Sequence, residues 1–286
     1  MKLTKAQNLL LLYYRKKLRI MHSVNSRWAA AAALDLFTNP LRKQPLVDPP
    51  IWQQAEKIFL STQYGRLAGF CWKPEQPNGK KLLIVHGFEG NSRSFFTYIQ
   101  PALDMGFEVF AYDAPAHGQS EGKRLNVLIY TNTLRLILEQ HGRFDSYLAH
   151  SLGGLCVMLM LHQLKNTGNP KVVLIAPATE SLTATDQFVQ VLQLSADMRT
   201  ALEQKIKEVA GQPIEWFSVS RVIDEVYADI LWLHDKDDIA TPISDMYPLQ
   251  QKGLTNVQFH LTEGLGHSRI YKDSAVKKRI LDFLAS

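Results

Sequence analysis

From residue 56 onward, short apolar runs and helical segments take turns along the chain. The runs read "EKIFLST", "GRLAGFCW", "KLLIVHG", "FEVFAYD", "SYLAHS", "KVVLIAP", "DILWLHD" and "VQFHLT". Several are continuously apolar rather than alternating, the pattern of parallel strands covered on both faces. Helical patterns lie between them near 94–105, 126–141, 152–166, 243–252 and 272–284. The alternation predicts βαβ units and an α/β fold: a mostly parallel eight-stranded sheet flanked by helices. The first two runs are joined only by "QYG" (63–65), too short for a crossover, so they should form an antiparallel hairpin at the sheet edge.

Two segments stand outside this rhythm. Residues 179–225 are longer than one crossover helix needs and read as two or more amphipathic helices, expected as a lid insertion over the carboxyl ends of the strands. Residues 1–50 read as an N-terminal helical arm that the Pro-rich "NPLRKQPLVDPP" (39–50) brings to an end. The expected division is therefore an arm at 1–50 packed on the core, a core at 51–178 and 226–286, and a lid at 179–225.

Charge separates the arm from the body. Residues 1–50 hold nine Lys/Arg against two Asp/Glu, whereas the remaining 236 residues net −2. A nucleic-acid-binding body should carry the basicity itself, so no nucleic-acid partner is expected. Within the arm, Leu9, Leu12, Tyr13, Lys16 and Ile20 recur at helical spacing, with Arg15, Lys17 and Arg19 between them. A basic amphipathic helix of this kind fits an anionic membrane surface. It equally fits a helix packed on the core with a solvated basic face, which is commoner and is the expectation here. The run Leu9–Tyr14 is far too short to span a membrane, and charges rather than a small-residue cleavage site follow it. Cys71 and Cys156 lie in apolar stretches without metal-ligand spacing, which fits a reducing, cytoplasmic compartment.

Ser151 is the polar residue that needs a reason. The strand "SYLAH" runs into it and the helix "LGGLCVMLMLHQL" leaves it. A strand-to-helix reversal on one residue strains that residue and demands neighbours without bulk, which Ala149 and Gly153 supply. The pattern is the nucleophile elbow G-x-S-x-G with Ala in the first position.

In these residues the chain resembles the α/β-hydrolase fold family over roughly residues 52–286. The resemblance implies an oxyanion loop after the third strand. "LLIVHGFEGNS" supplies it, with the amide of Phe88 as one donor and that of Leu152 as the other. It implies a Gly-containing structural loop, which "AYDAPAHGQS" resembles through Asp113, His117 and Gly118. His86 and His117 are read as loop hydrogen-bonders, and His150 as a packing or pocket-rim residue pointing away from Ser151. The family's order of serine, acid, histidine implies an acid in "HDKDDIATP". The carboxylate four residues after the His and four before the Pro is Asp238. Asp237 is its near competitor, Asp235 stands where Gly is common, and Glu180 occupies an alternative acid position. The base implied is His267, in "LTEGLGHSRIY".

The expected activity is hydrolysis of a carboxylic ester through Ser151, His267 and Asp238, with no metal and no organic cofactor. The expected partner is a small-molecule ester or acyl compound. Phe188, Val189, Val191, Leu192 and Leu194 would either line an acyl site or pack the lid. The same three residues also serve thioesterases and carbon–carbon bond hydrolases, and a non-catalytic scaffold binding a small molecule or partner is the reading from another class.

Overall fold

The computed structural model describes residues 5–41, 46–165 and 168–286. Residues 1–4 and 42–45 of the expected arm and connector, and residue 166 of an expected helix, lie outside them. The eight apolar runs are eight strands: β1 (Glu56–Thr62), β2 (Gly65–Trp72), β3 (Lys81–Val85), β4 (Glu108–Tyr112), β5 (Ser146–His150), β6 (Lys171–Ile175), β7 (Asp229–Asp235) and β8 (Val257–Thr262). They form one sheet in the order β1-β2-β4-β3-β5-β6-β7-β8. β1 and β2 form the expected hairpin, β2 pairs antiparallel with β4, and every other pairing is parallel.

The helices in chain order are α1 (Lys5–Val24), α2 (Ser26–Thr38), α3 (Phe96–Asp104), α4 (Val127–His141), α5 (Leu152–Leu164), α6 (Ser181–Leu192), α7 (Ala196–Ala210), α8 (Val219–Val222), α9 (Tyr247–Gln251), α10 (Gly266–Arg269) and α11 (Ser274–Ala285). Five of them, α2, α4, α7, α8 and α11, start on a side-chain cap. Asn25 accepts from the Arg27 and Trp28 amides before α2, Asn126 from Ile129 before α4, and Asp273 from Ala275 and Val276 before α11. α4 and α7 end on Gly142 and Gly211, both with positive φ.

Contacts divide the chain into two compact units. One comprises Met1–Asn39 and Glu180–Phe217, the other Pro40–Thr179 and Ser218–Ser286. In the sheet unit, Ile84, Leu148, Val173, Ile175, Leu231 and Leu233 are buried in one cluster with Ile99 of α3 and Val276, Ile280 and Leu284 of α11. α5 is apolar all round, and every residue from Gly153 to Leu161 is buried, as such a helix requires. α8, inside the expected lid, belongs to this unit and packs on α5 through the buried Val219 and Val222. Cys71 and Cys156 are free and buried.

The helical unit joins two segments that the sequence separated as arm and insertion. Here α2 packs on α7 and α1 on α2. Phe37 packs against Phe188 at a tilt with ring centroids 4.8 Å apart, and Leu192 is buried. Thus two of the five apolar residues singled out in the insertion are engaged within this unit. α1 turns a different face inward from the one expected. Leu18 is its only buried residue, with Leu11, Tyr14 and Met21 half-buried, while Leu9, Leu12, Tyr13 and Ile20 are exposed. Among the described residues, no helix is long and apolar enough to cross a membrane.

This orientation predicts an asymmetry within α1. Leu18→Ala should cost about 2–5 kcal/mol, as for a fully buried leucine. Leu9→Ala should stay within about 0.5 kcal/mol of the parent. Urea unfolding followed by far-UV circular dichroism measures both.

Candidate active site

Ser151 joins β5 directly to α5, with φ 53° and ψ −125°. For a residue with a side chain, this backbone costs of order 1–3 kcal/mol and has to be held by its surroundings. The hold is visible. The Ser151 amide donates to the Ile175 carbonyl at 3.1 Å, and the Ser151 carbonyl accepts from the amides of Gly154 and Ala178, both at 3.0 Å. Steric demand does the rest. A Cβ on Gly153 would stand 2.6 Å from the His86 carbonyl oxygen and 2.8 Å from that of Val85. A Cβ on Gly87 would stand 2.8 Å from the Ser151 Cβ. The end of β3 and the start of α5 therefore touch backbone to backbone. That contact sets the loop after β3, with Phe88, beside the serine, while Leu152 heads α5 with an amide that has no partner one turn back.

His267 lies on α10, reached through Gly264 and Gly266, both with positive φ. Its Nδ1 stands 2.7 Å from Asp238 Oδ2 and its Nε2 stands 3.0 Å from Ser151 Oγ. A carboxylate only accepts, so Nδ1 carries the proton and Nε2 offers its lone pair to the serine hydroxyl. Asp238 is buried, and its Oδ1 accepts from the amides of Ala240 and Thr241 at 2.9 and 3.0 Å. Burial alone would raise the Asp238 pKa. Hydrogen bonds from His267 and Thr241 outweigh burial and hold it below the ordinary aspartate value.

The other acidic candidates do different things. Asp237 is exposed and accepts from the Gly264 amide at 2.9 Å. Asp235 is fully buried and accepts from Thr262 Oγ1 at 2.7 Å and the Leu265 amide at 3.0 Å. It therefore ties the end of β7 to the loop that carries His267. Glu180 is the N-cap residue of α6, in the helical unit.

Sequence reasoning missed Thr241. Its Oγ1 lies 2.9 Å from Asp238 Oδ2 and 3.2 Å from His267 Nδ1. The available signal was an Asp three residues before a Thr, the spacing of a side chain that accepts backbone amides in a tight turn. His150 also does more than line a rim. Its Nε2 donates to the His267 carbonyl at 3.0 Å, and the two rings pack at a tilt with centroids 4.6 Å apart. His234 Nε2 donates to the Thr241 carbonyl at 2.7 Å and so braces the acid loop.

His86 and His117 are the loop hydrogen-bonders expected. His86 Nδ1 donates to the Gly87 carbonyl while Nε2 accepts from the Ala114 amide. His117 Nδ1 donates to the Pro115 carbonyl while Nε2 accepts from the Glu89 amide. A second ring proton would face an N–H in either case, so both rings stay neutral. Burial pushes His117 down to about 4 and His150 down to about 3, and lowers His86 and His234 as well. Among the described residues, no group of three His, Cys, Asp or Glu side chains is placed to hold a metal ion.

Comparison with known proteins agrees with this architecture. A sequence model of the alpha/beta hydrolase fold family matches residues 80–211. The chain is 23% identical over 248 residues to the uncharacterized protein YqkD of Bacillus subtilis, which covers 82% of this chain and 81% of that protein. Its structure is similar to that of the Pyrococcus furiosus esterase Pf2001, with a TM-score of 0.64, 17% identity, and coverage of 86% of this chain and 95% of that one. It is also similar to a bromoperoxidase from Bacillus anthracis, with a TM-score of 0.60, 14% identity, and coverage of 81% and 100%. At these identities the likeness carries the fold, and neighbours with such different reactions show that fold alone does not choose the chemistry.

Two outcomes follow from the packing and the buried rings. Gly153→Ala should destabilise the protein by about 1–3 kcal/mol in thermal unfolding, because the new methyl meets backbone oxygens that cannot move aside; the gain in helix propensity of about 1 kcal/mol is smaller. Stability should also fall as pH drops. An unfolded histidine takes up a proton near about pH 6.5, whereas folded His117 and His150 stay neutral to about 4 and about 3. Between those limits the unfolded state binds more protons, so acid favours it. The urea midpoint should be lower at pH 5 than at pH 7, with a shallower dependence in His150→Gln.

Proposed function

The chain has the α/β-hydrolase fold, and from that premise we propose that it is a serine hydrolase cleaving a carboxylic ester, with Ser151 as nucleophile, His267 as base and Asp238 as the orienting acid. The observation that carries this reading is the unbroken path from Asp238 Oδ2 through His267 to Ser151 Oγ, at 2.7 and 3.0 Å. A serine hydroxyl is a poor nucleophile until a base takes its proton, and the base works only in the right tautomer. Both requirements have a residue assigned to them here.

In the proposed reaction, Ser151 Oγ attacks the ester carbonyl as His267 Nε2 accepts the hydroxyl proton. The ionised Asp238 stabilises the imidazolium through the Nδ1–H it already holds. The negative charge on the former carbonyl oxygen is taken by the amides of Phe88 and Leu152, reinforced by the N-terminal end of α5. His267 then gives its proton to the leaving alcohol oxygen as the ester bond breaks. Water, deprotonated by the same imidazole, attacks the acyl-serine and releases the carboxylic acid. No step calls on a metal or an organic cofactor. His150, Asp235 and Thr241 touch no reacting atom in this scheme; they position His267 and Asp238.

The test is labelling with a fluorophosphonate probe followed by mass mapping of the adduct. The expected adduct sits on Ser151 and is absent from Ser151→Ala and His267→Ala. Asp238→Asn should lower kcat for a short-chain aryl ester on the order of 10³–10⁴-fold, by presenting the wrong partner to Nδ1. Asp237→Asn should change kcat by less than about threefold, since an exposed carboxylate is weakly coupled to its neighbours. A folded wild-type protein that neither labels nor hydrolyses the ester would point to the non-catalytic scaffold instead.

A further inference from the structure

α1 has two faces, and only one of them is used. The inward face is centred on the buried Leu18, and Arg15 beside it is committed, with its guanidinium donating to the Val191 carbonyl at 3.1 and 2.7 Å. The opposite face carries Leu9, Tyr13, Ile20 and Val24, four, seven and four residues apart, so they share one stripe of the helix. Each is more than half exposed, and so is Leu12 at the stripe's margin. Leaving four such side chains in water is unfavourable by roughly 25 cal/mol for each Å² of apolar surface, so a stripe like this marks a surface with a partner.

The charges say which partner. α1 contains Lys5, Arg15, Lys16, Lys17 and Arg19 and no acidic residue at all. Lys16 lies within the exposed stripe, with Lys17 and Arg19 on its two flanks, all three exposed. Lys17 Nζ stands 5.9 Å from the centre of the Tyr13 ring, so the cation and the apolar stripe are presented together. Trp28, exposed near the start of α2, adds an aromatic of the amphipathic kind that suits an apolar–water boundary. A second copy of the chain is a poor fit. Pairing α1 with itself would bring two all-cationic helices together with no carboxylate on either to compensate. An anionic lipid surface offers both an apolar phase for the stripe and phosphates for the cations.

We propose that α1 docks this protein reversibly on an anionic membrane surface, lying in the plane of the interface. Leu9, Tyr13, Ile20 and Val24 enter the boundary between headgroups and acyl chains. Lys16, Lys17 and Arg19 extend their aliphatic stems along that boundary and hold lipid phosphates at their tips. This docking is peripheral, and it stands or falls independently of the reaction assigned above.

Flotation of the full-length protein with phosphatidylcholine vesicles, with and without phosphatidylglycerol, tests it. The expected result is binding to the anionic vesicles at low salt, weakened by added salt. A Lys16→Gln, Lys17→Gln, Arg19→Gln variant should lose about a hundredfold in partition, since each cation near such a surface is worth roughly fivefold. Leu9→Ser with Ile20→Ser should lose binding comparably. Both variants alter exposed residues, so their thermal unfolding should match the parent, which separates lost docking from lost folding. Absence of binding to anionic vesicles at low salt would overturn the proposal, as would binding that the charge variant leaves intact. So would a dimer in sedimentation velocity that Leu9→Ser with Ile20→Ser dissociates, since the stripe would then belong to a second copy.

Discussion

A strand that turns into a helix on a single residue leaves almost no room around the turn, and the backbone at Ser151 is held there against its own preference. The residues around it follow from that demand. Gly153 is needed because two carbonyl oxygens of the β3 end lie where its Cβ would be. Gly87 is needed because the Ser151 side chain lies where its own would be. Four backbone hydrogen bonds on Ser151 tie the turn to β6, to the loop after it and to α5. Remove the close approach and the strain has no reason to persist. The same approach sets the loop carrying Phe88 next to the hydroxyl, so one steric contact both maintains the turn and assembles the surroundings of the serine.

Around this turn the chain uses histidine repeatedly, and the uses divide by what each ring nitrogen meets. His86 and His117 each donate to a carbonyl and accept from an amide, which fixes the tautomer and leaves no site for a second proton. His234 is held in the same way between the Thr241 carbonyl and the Trp232 indole N–H. Such rings act as rigid two-ended braces. His267 differs in both respects. One nitrogen faces a carboxylate, and the other faces a hydroxyl that can give up a proton. Its side chain also keeps about a fifth of its surface exposed, whereas Asp238 behind it has none. The chemical distinction between a brace and a base thus lies in the partner, since the side chain is the same.

That distinction explains what was legible in the sequence and what was not. The strands of the parallel sheet, the edge hairpin and the elbow could be read because each depends on local pattern: apolar runs, a three-residue link, small residues at fixed offsets; the acid and the base were implied by the family resemblance. The register of the acid loop that the chain resembles separated Asp238 from Asp237, and the two face different partners, His267 and the Gly264 amide. Asp235, Thr241 and His150 could not be ranked, because their contacts with His267 and its loop span 26 to 117 residues of separation. Nothing local in the strand "SYLAH" distinguishes a ring that packs from one that grips a distant carbonyl; for His150 the alternation of a strand gave a direction and no partner.

The inward face of α1 shows the opposite failure, in which a local rule pointed the wrong way. Helical periodicity found an apolar stripe at Leu9, Leu12, Tyr13 and Ile20, and burying the apolar stripe is the default for an amphipathic helix. The packed face is instead the one around Leu18, which also brings Arg15 to the Val191 carbonyl. A helix with apolar residues on two faces can satisfy only one of them inside its own unit. Leu18 needs a tight contact; Leu11, Tyr14 and Met21 beside it are uncharged, and Arg15, the one Lys or Arg on this face, is taken up by the Val191 carbonyl. The Leu9–Ile20 stripe is interrupted by Lys16 and flanked by Lys17 and Arg19, so burying it in protein would strand three cations without carboxylates. Desolvation therefore decides the orientation: the face whose single cation finds a carbonyl partner goes inward, and the face that mixes three cations with leucine is left for an environment that accepts both.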